Sequence, residues 1–174
     1  MKRLKDIDYK IISELIKNSK LSDRKLAKVV GVSQPTISRK RARFEREGLL
    51  DYTAIPDFEK FGFEIMAFSF YSWTPEANKE FAQNREEILK KLSAFLSMHP
   101  NVFFSSNGRG FGMERMMISI HKSYTDYVKL MNDVKEEWGM YVNKSDSFIV
   151  SLKEDVVGRR LSFKHLGEIL SRER

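Results

Sequence analysis

The chain has 174 residues, of which 41% are apolar and 32% are charged, so it can build one large domain or two small ones. It contains no cysteine, which excludes disulfides, thiolate metal ligands and cysteine nucleophiles, and no apolar run approaches the roughly 20 residues of a membrane-spanning helix. The net charge of +7 comes from the first 50 residues, where 14 Lys and Arg face 6 Asp and Glu, so we expect a polyanion to bind there.

These first 50 residues predict three helices. Ser22 and Ser33 are suitable N-caps for the second and third helices, and Gly31 and Gly48 are suitable residues to end them. The first helix is indicated by apolar residues at helical spacing, namely Leu4, Ile7, Ile11 and Leu15. Because only a short turn separates the last two helices, the segment is predicted to be a helix-turn-helix.

The third predicted helix has the composition of a DNA-recognition helix. Ile37 and Phe44 can anchor one face, while short polar side chains at its start can meet base edges and later cations can reach phosphates or guanine. Backbone amides at the starts of helices two and three can also bind phosphates. The predicted DNA-binding residues are Ser22, Ser33, Gln34, Thr36, Ser38, Arg39, Lys40 and Arg43.

An ordinary basic surface helix is the alternative interpretation of this segment. Five cations lie within eight residues there, at positions 39, 40, 41, 43 and 46. They repel one another at helical spacing, and an anionic partner relieves that repulsion. Downstream, residues 49–55 predict a strand that forms a wing or leads into a second domain, and residues 57–63 predict a short linking turn of helix.

Residues 4–63 resemble the Lrp/AsnC family of prokaryotic regulators, also called feast/famine regulators. The resemblance rests on Ile7-Asp8-x-Lys10-Ile11, Ser22-x-x-x-Leu26-Ala27, Val30-Gly31-Val32-Ser33, Thr36-Ile37-Ser38-Arg39-Lys40, Phe44-Glu45, Glu47-Gly48 and Tyr52-Thr53-Ala54-Ile55. Arg41 departs from the family, which usually has an aliphatic residue there, so the inner face of the third helix is expected to be wetter or shifted.

Residues 64–153 predict strands and helices in the order βαββαβ. The strands are expected at 65–73, 102–106 and 116–121 and around Phe148, Val150 and Leu152, with one helix starting at Thr74 and another between Ser123 and Gly139. This order is that of a ferredoxin-like domain. The predicted fold class is therefore α+β, an N-terminal winged helix-turn-helix plus a C-terminal ferredoxin-like domain. The predicted domains are 1–55, a linker at 56–63, 64–153 and a C-terminal helical extension at 154–174.

The predicted sheet implies a dimer. Its two helices would cover one face, and Tyr71 and Trp73 are too apolar to leave the other face in water, so sheet-to-sheet packing is expected. The family resemblance implies the same dimerisation and further assembly to tetramers or octamers. A two-fold dimer would present two recognition helices to half-sites about one DNA turn apart.

The glycine-rich segment 107–112 has two interpretations. It lacks the Lys-Ser/Thr of a phosphate loop and the spacing of a dinucleotide fingerprint, which favours a flexible hairpin connection. In the family, however, the comparable turn lies near amino-acid effectors bound between subunits, and it usually reads glycine, two residues, then aspartate. The candidate effector residues here are Asn107, Gly108, Arg109, Gly110 and Glu114, with Arg109 pairing a carboxylate and Glu114 an amine.

The remaining sequence predicts no catalytic or metal site. The three histidines are scattered without metal-ligand spacing, and no cofactor is expected. Residues 158–174 predict an extra helix that packs on a neighbouring subunit or binds another partner. The charged N-terminus lacks the apolar stretch of a signal peptide, so a cytoplasmic location without membrane contact is expected.

The sequence thus predicts a non-enzymatic, sequence-specific transcriptional regulator that binds double-stranded DNA as a homodimer or higher oligomer, with an amino acid as the expected class of effector. The alternatives are an architectural DNA-compacting protein and a metabolite-binding protein with little DNA specificity. The segregated charge favours either DNA-binding function over the metabolite binder. The polar start of the third helix favours the sequence-specific regulator over the architectural protein.

Overall fold

The computed structural model describes residues 4–153 and 157–172. Among them, the residues up to Ile55 together with those from Arg159 onward form one compact unit, and Pro56–Gly158 form a second. The parts of the predicted domains at 1–3, 154–156 and 173–174 lie outside the described residues. Within the described ranges, no helix is long and apolar enough to cross a membrane.

The first unit contains the three predicted helices, α1 (Asp6–Lys17), α2 (Asp23–Val30) and α3 (Gln34–Arg46). Local signals set their ends: the hydroxyl of Ser22 accepts the N–H of Lys25 at 3.3 Å, and Gly31 ends α2 at a φ of 79° that other residues rarely adopt. The core between the helices is apolar, and its fully buried members are Ile11, Leu26, Ile37 and Phe44.

The predicted strand at residues 49–55 is absent from the described structure, so that prediction was wrong. The segment has no regular secondary structure, and the described strands all belong to a sheet in the other unit. A strand needs a partner for its backbone N–H and C=O groups. Apolar residues followed by a proline indicate an extended segment but cannot supply that partner.

The C-terminal helix α7 (Lys164–Arg172) packs against α1 of the same chain. The Ser13 hydroxyl donates a 2.6 Å hydrogen bond to the backbone carbonyl of Gly167, and Leu170 packs against the core of the unit. A Cβ atom on residue 167 would lie 2.7 Å from the backbone carbonyl oxygen of Ser13, so glycine permits this close approach.

The second unit is a four-stranded antiparallel sheet with helices on one face. Strands β1 (Ile65–Trp73), β2 (Val102–Gly110), β3 (Met113–His121) and β4 (Val142–Ser151) lie in the order β2-β3-β1-β4. The helices are α4 (Pro75–Gln83), α5 (Arg85–Met98) and α6 (Tyr124–Trp138), and a 3-10 turn (Glu59–Phe61) precedes β1. The predicted ferredoxin-like α+β fold is confirmed.

Two local predictions in this unit were wrong. The single helix expected after Thr74 is broken at Asn84, whose φ of −115° and ψ of 37° are not helical. The glycine-rich segment is mostly strand, because β2 and β3 extend until only Phe111 and Gly112 remain between them. Both residues have positive φ, 55° and 70°, as a two-residue hairpin turn of this twist requires.

The two faces of the sheet differ from the sequence prediction. Tyr71 is 5% exposed within the helix-covered core, and the Trp73 ring lies 5.1 Å from that of Phe81 on α4. The prediction that Tyr71 and Trp73 lie on the uncovered face was therefore wrong. Alternation along a strand shows which residues share a face but not which face the helices cover. The opposite face is still apolar, with in-register residues from all four strands: Phe104, Ile118, Phe68 and Phe148.

Candidate nucleic-acid interface

Helix α3 has one buried and one exposed face. Ile37 and Phe44 are fully buried against α1 and α2, which fixes the rotation of the helix about its axis. The exposed face is polar at its start and basic further along. Its residues lie in two neighbouring rows along the helix, in which successive members are three or four positions apart. The first row is Gln34 and Ser38, and the second is Pro35, Arg39, Ala42 and Arg46. This face has the dimensions and chemistry for the major groove.

The short polar residues predicted to bind DNA lie at the starts of α2 and α3. Ser22 is exposed and caps α2, and the hydroxyls of Ser33 and Thr36 are 2.9 Å apart. The Ser38 hydroxyl donates a 2.5 Å hydrogen bond to Asp23, which ties the recognition face to the first turn of α2. Gln34 and Ser38 are exposed on the same side of α3, as direct base contacts require.

Two predicted DNA-binding cations, Lys40 and Arg43, are paired inside the unit. Both contact the carboxylate of Asp8 on α1, Lys40 through Oδ1 and Arg43 at 3.2 Å from Oδ2. Asp8 is fully buried and also accepts the backbone N–H of Lys5 at 2.9 Å. These side chains therefore attach α3 to α1, and their charge is already partly neutralised.

Burial raises the pKa of Asp8, but the hydrogen bonds from Lys40, the Lys5 backbone and Arg43 outweigh that effect. The net result is a pKa below the ordinary value of 3.8. Asp8 is therefore ionised at neutral pH and paired with two half-buried cations, of which Arg43 also lies 3.8 Å from the Glu47 carboxylate.

Arg41, the departure from the family pattern, is also accounted for inside the unit. Its Nε atom lies 3.1 Å from the Asp23 carboxylate, and a terminal nitrogen donates a 2.7 Å hydrogen bond to the Leu21 carbonyl. The guanidinium carbon is 6.0 Å from the centre of the Tyr52 ring. The arginine thus connects α3 to the start of α2 and to the segment after α3. An aliphatic side chain at this position could form apolar packing contacts but not these polar ones.

The remaining cations of this surface are exposed. Arg39 donates only to the Pro35 carbonyl of its own helix, at 3.3 Å, and within the described ranges neither Arg39 nor Arg46 forms an ion pair. The same holds for three exposed cations of α2, Arg24, Lys25 and Lys28. Sequence reasoning did not assign Arg46 to the interface. Its spacing of seven positions from Arg39 could have indicated that both lie on the same side of the helix.

The candidate effector residues lie on the β2–β3 hairpin of the other unit. Asn107, Gly108, Arg109 and Glu114 line a cavity of about 470 Å³ between the sheet and helices α4 and α5, while Gly110 does not line it. The backbone N–H of Trp73 donates to the Glu114 carboxylate at 2.9 Å. A residue that sequence reasoning missed, Arg115, also lines this cavity. No cluster of metal-binding side chains occurs among the residues described.

Sequence comparison finds that the first unit is similar to known DNA-binding domains. A family model described as winged helix-turn-helix DNA-binding matches residues 4–51. The HTH-type transcriptional regulator FL11 of Pyrococcus furiosus is 36% identical over 66 residues, which are 37% of this chain and 44% of that protein. A second, uncharacterized HTH-type transcriptional regulator of the same organism is 38% identical over 63 residues, 36% of this chain and 43% of its own length. The chain thus matches less than half the length of these relatives.

Structural comparison extends the likeness over most of the chain. The regulator NMB0573 of Neisseria meningitidis, solved with L-Met, has a TM-score of 0.68 at 22% identity and covers 94% of this chain and 99% of its own. LrpC of B. subtilis has a TM-score of 0.65 at 21% identity, over 85% of this chain and 94% of its own. AsnC of E. coli has a TM-score of 0.67 at 16% identity, over 91% and 98%. The resemblance to Lrp/AsnC regulators is confirmed at the level of fold.

Proposed function

We propose that this chain, which has the fold of the Lrp/AsnC regulators, is a sequence-specific DNA-binding transcriptional regulator. The observation that carries the proposal is the exposed face of α3. Gln34 and Ser38 are accessible to base edges there, while Arg39 and Arg46 are exposed cations on the adjacent row. The match to winged helix-turn-helix DNA-binding domains supports the same function.

The expected contacts fall into two classes. Arg39, Gln34 and Ser38 would read base edges in the major groove, while the exposed cations of α2 and the amide groups at the helix starts would bind phosphates. Lys40 and Arg43 contribute mainly by holding α3 on α1, since each shares the buried Asp8 carboxylate.

We further propose that the protein acts as a homodimer joined through the open face of the sheet. The row of Phe104, Ile118, Phe68 and Phe148 crosses all four strands, and Phe148 is 66% exposed in the single chain. A second copy of the same face covers such a row with its own apolar residues, as two-fold symmetry allows. Tetramers or octamers would add further copies of the recognition helix.

A small-molecule effector is part of the same proposal, and an amino acid is the first class to test. A regulator of the same fold was solved with L-Met, and the β2–β3 hairpin of this chain lines a cavity. Of the five hairpin residues of the sequence prediction, the four that line this cavity remain candidates for the site: Asn107, Gly108, Arg109 and Glu114. We also propose that the protein acts in the cytoplasm, where DNA is accessible, and that its role is regulatory rather than catalytic.

Footprinting on genomic fragments, including the region upstream of its own gene, tests the function. We expect discrete protected patches at intervals of about one helical turn, about 10 base pairs, that weaken steeply as salt rises. Uniform protection of every fragment would indicate an architectural protein. Absence of protection at low salt, together with ligand binding, would indicate the metabolite-binding alternative.

A further inference from the structure

The cavity of the second unit has largely apolar walls, to which several aromatic rings contribute. Its volume of about 470 Å³ lies within the roughly 300–1,000 Å³ of small-molecule sites. Tyr71, Trp73, Phe81, Phe95 and Trp138 contribute to its walls. The rings are fixed by contacts among themselves, such as the stacked pair of Tyr71 and Trp73 with centroids 6.5 Å apart. These rings and the aliphatic side chains around them suit an apolar group.

The same cavity also carries a guanidinium without a carboxylate partner, that of Arg115, the cross-strand neighbour of Tyr71. Arg115 is half-buried and donates to two neutral oxygens, Asn107 Oδ1 at 3.0 Å and Ser105 Oγ at 2.8 Å. Within the described ranges it forms no ion pair. Burial lowers the pKa of Arg115 from its ordinary value, because the guanidinium is partly removed from water there. A cation in this setting gains most from a ligand that brings a negative charge.

The charges around the cavity agree with an anionic ligand. Arg85 and Arg109 line it as well, and Glu114 is the one acidic residue among its described lining. The Glu114 carboxylate already accepts the backbone N–H of Trp73 at 2.9 Å. The cavity therefore favours a carboxylate and offers little to a ligand's ammonium group.

We propose that this cavity, within a single protomer, binds a small apolar monocarboxylate, with its carboxylate on Arg115 and its apolar group among the aromatic rings. Arg115 is the anchor because its two hydrogen bonds to Ser105 and Asn107 hold the guanidinium plane in place for a paired contact with both carboxylate oxygens. The consequence for gene regulation rests on the proposed effector role, but ligand binding itself does not.

The intrinsic fluorescence of the protein reports directly on this site, since both tryptophans of the chain line the cavity. The probes are 3-phenylpropionate and its neutral isostere 3-phenylpropionamide, titrated into the full-length protein without DNA. We expect saturable changes with both probes and an affinity at least about tenfold higher for the carboxylate, the difference that a charge-assisted pair contributes.

Matched variants assign this preference to Arg115. Arg115→Gln is expected to bind both probes equally weakly, while Lys90→Gln, which removes an exposed cation of α5, keeps the preference. Leu92→Phe enlarges an apolar side chain of the cavity lining and leaves Arg115 in place, so it should weaken the binding of both probes together. This variant remains informative if Arg115→Gln does not fold.

Three results would overturn the proposal: no saturable change with 3-phenylpropionate, equal affinity for acid and amide in the unaltered protein, or tighter binding of L-phenylalanine than of 3-phenylpropionate. The last result would show that the site selects an amine. Because DNA is absent from these titrations, each of these failures leaves the footprinting result, and with it the proposed DNA-binding function, untouched.

Discussion

Asp8 and Arg43 join α1 of the helical unit to α3: Oδ2 of the fully buried carboxylate lies 3.2 Å from the guanidinium. Lys40 contacts the other carboxylate oxygen. The basic character of α3 therefore has two origins, cations that hold the helix in place and cations that remain exposed. The two groups predict different effects of mutation.

Arg39→Ala is expected to weaken binding to a specific DNA site by about 1–3 kcal/mol if the side chain reads guanine. The exposed guanidinium donates only to the carbonyl of Pro35, so its removal should not unfold the unit. Titrations against specific and random DNA separate its two possible contacts. If Arg39 binds a phosphate, the substitution weakens binding to all sequences alike, and the slope of log affinity against log salt concentration falls in magnitude by about one. Lys79→Gln, an exposed cation of the other unit, is the matched control. Unchanged affinity would remove Arg39 from the interface.

Asp8→Ala is expected to destabilise the helical unit by about 3 kcal/mol, because the half-buried Lys40 and Arg43 lose the Asp8 carboxylate and Arg43 keeps only that of Glu47 at 3.8 Å. Hydrogen exchange of α1 and α3 is the suitable measurement, since both tryptophans lie in the other unit. Glu45→Gln, on the exposed face of α3, should have little effect.

The Asp8 cluster also has a predictable pH dependence. The pKa of Asp8 is lower in the folded state than its ordinary 3.8, so the unfolded chain binds its proton first as pH falls. The stabilisation is complete above about pH 3.8 and is lost as pH falls through the folded-state value. Two results would contradict this account: hydrogen-exchange protection of α3 that does not fall in acid, or an Asp8→Asn variant in which that protection falls with pH as it does in the unaltered protein.

The elements that sequence reasoning identified correctly carry local signals. Ser22 and Gly31 mark the ends of α2 through capping and a left-handed φ, both readable from neighbouring residues. The pairing of Asp8 with Lys40 spans 32 positions. Neither periodicity nor composition shows which cations form ion pairs inside the protein and which remain exposed. Arg115 was missed because its role depends on a cavity formed by elements distant in sequence.

Gly167→Ala tests the docking of α7 on α1. In an unconstrained helix this change stabilises by up to about 1 kcal/mol, but here the added methyl would lie 2.7 Å from the Ser13 carbonyl oxygen and 2.9 Å from Lys17 Cγ. We therefore expect destabilisation by about 1–3 kcal/mol, seen as faster hydrogen exchange in α7. Gly158→Ala is the control, since nothing lies within 4 Å of a Cβ there. Increased protection of α7 in Gly167→Ala would show that the two helices are not in contact.

Phe148→Glu tests the proposed dimer. The side chain is 66% exposed in the single chain, so a glutamate there should cost the isolated fold little. In a sheet-to-sheet dimer the carboxylate would be buried next to Phe68, so dissociation to monomers is expected in sedimentation equilibrium. Met98→Glu, at an exposed residue on α5, is the matched control. A Phe148→Glu protein that stays fully dimeric would place the interface elsewhere.

His121 gives the second unit a pH dependence in a range that the Asp8 cluster does not affect. The imidazole is 2% exposed, 2.8 Å from the Ser119 hydroxyl, and edge-on to the Tyr127 ring. Burial lowers the pKa of His121 below 6.5, and the nearby Asp126 only partly opposes this. Below pH 6.5 the unfolded chain takes up a proton that the folded unit resists, so stability falls as pH drops from 6.5 towards the folded-state value.

Urea unfolding followed by tryptophan fluorescence measures this unit alone, because Trp73 and Trp138 both belong to it. The midpoint should decrease between pH 7.5 and 5.5 in the unaltered protein, and His121→Gln should flatten that decrease while lowering stability at neutral pH. His165→Gln, in the other unit, should keep the full slope. If His121→Gln retained the slope as well, the proton taken up on unfolding would belong to another group, and the burial of His121 would not control the acid sensitivity of the sheet.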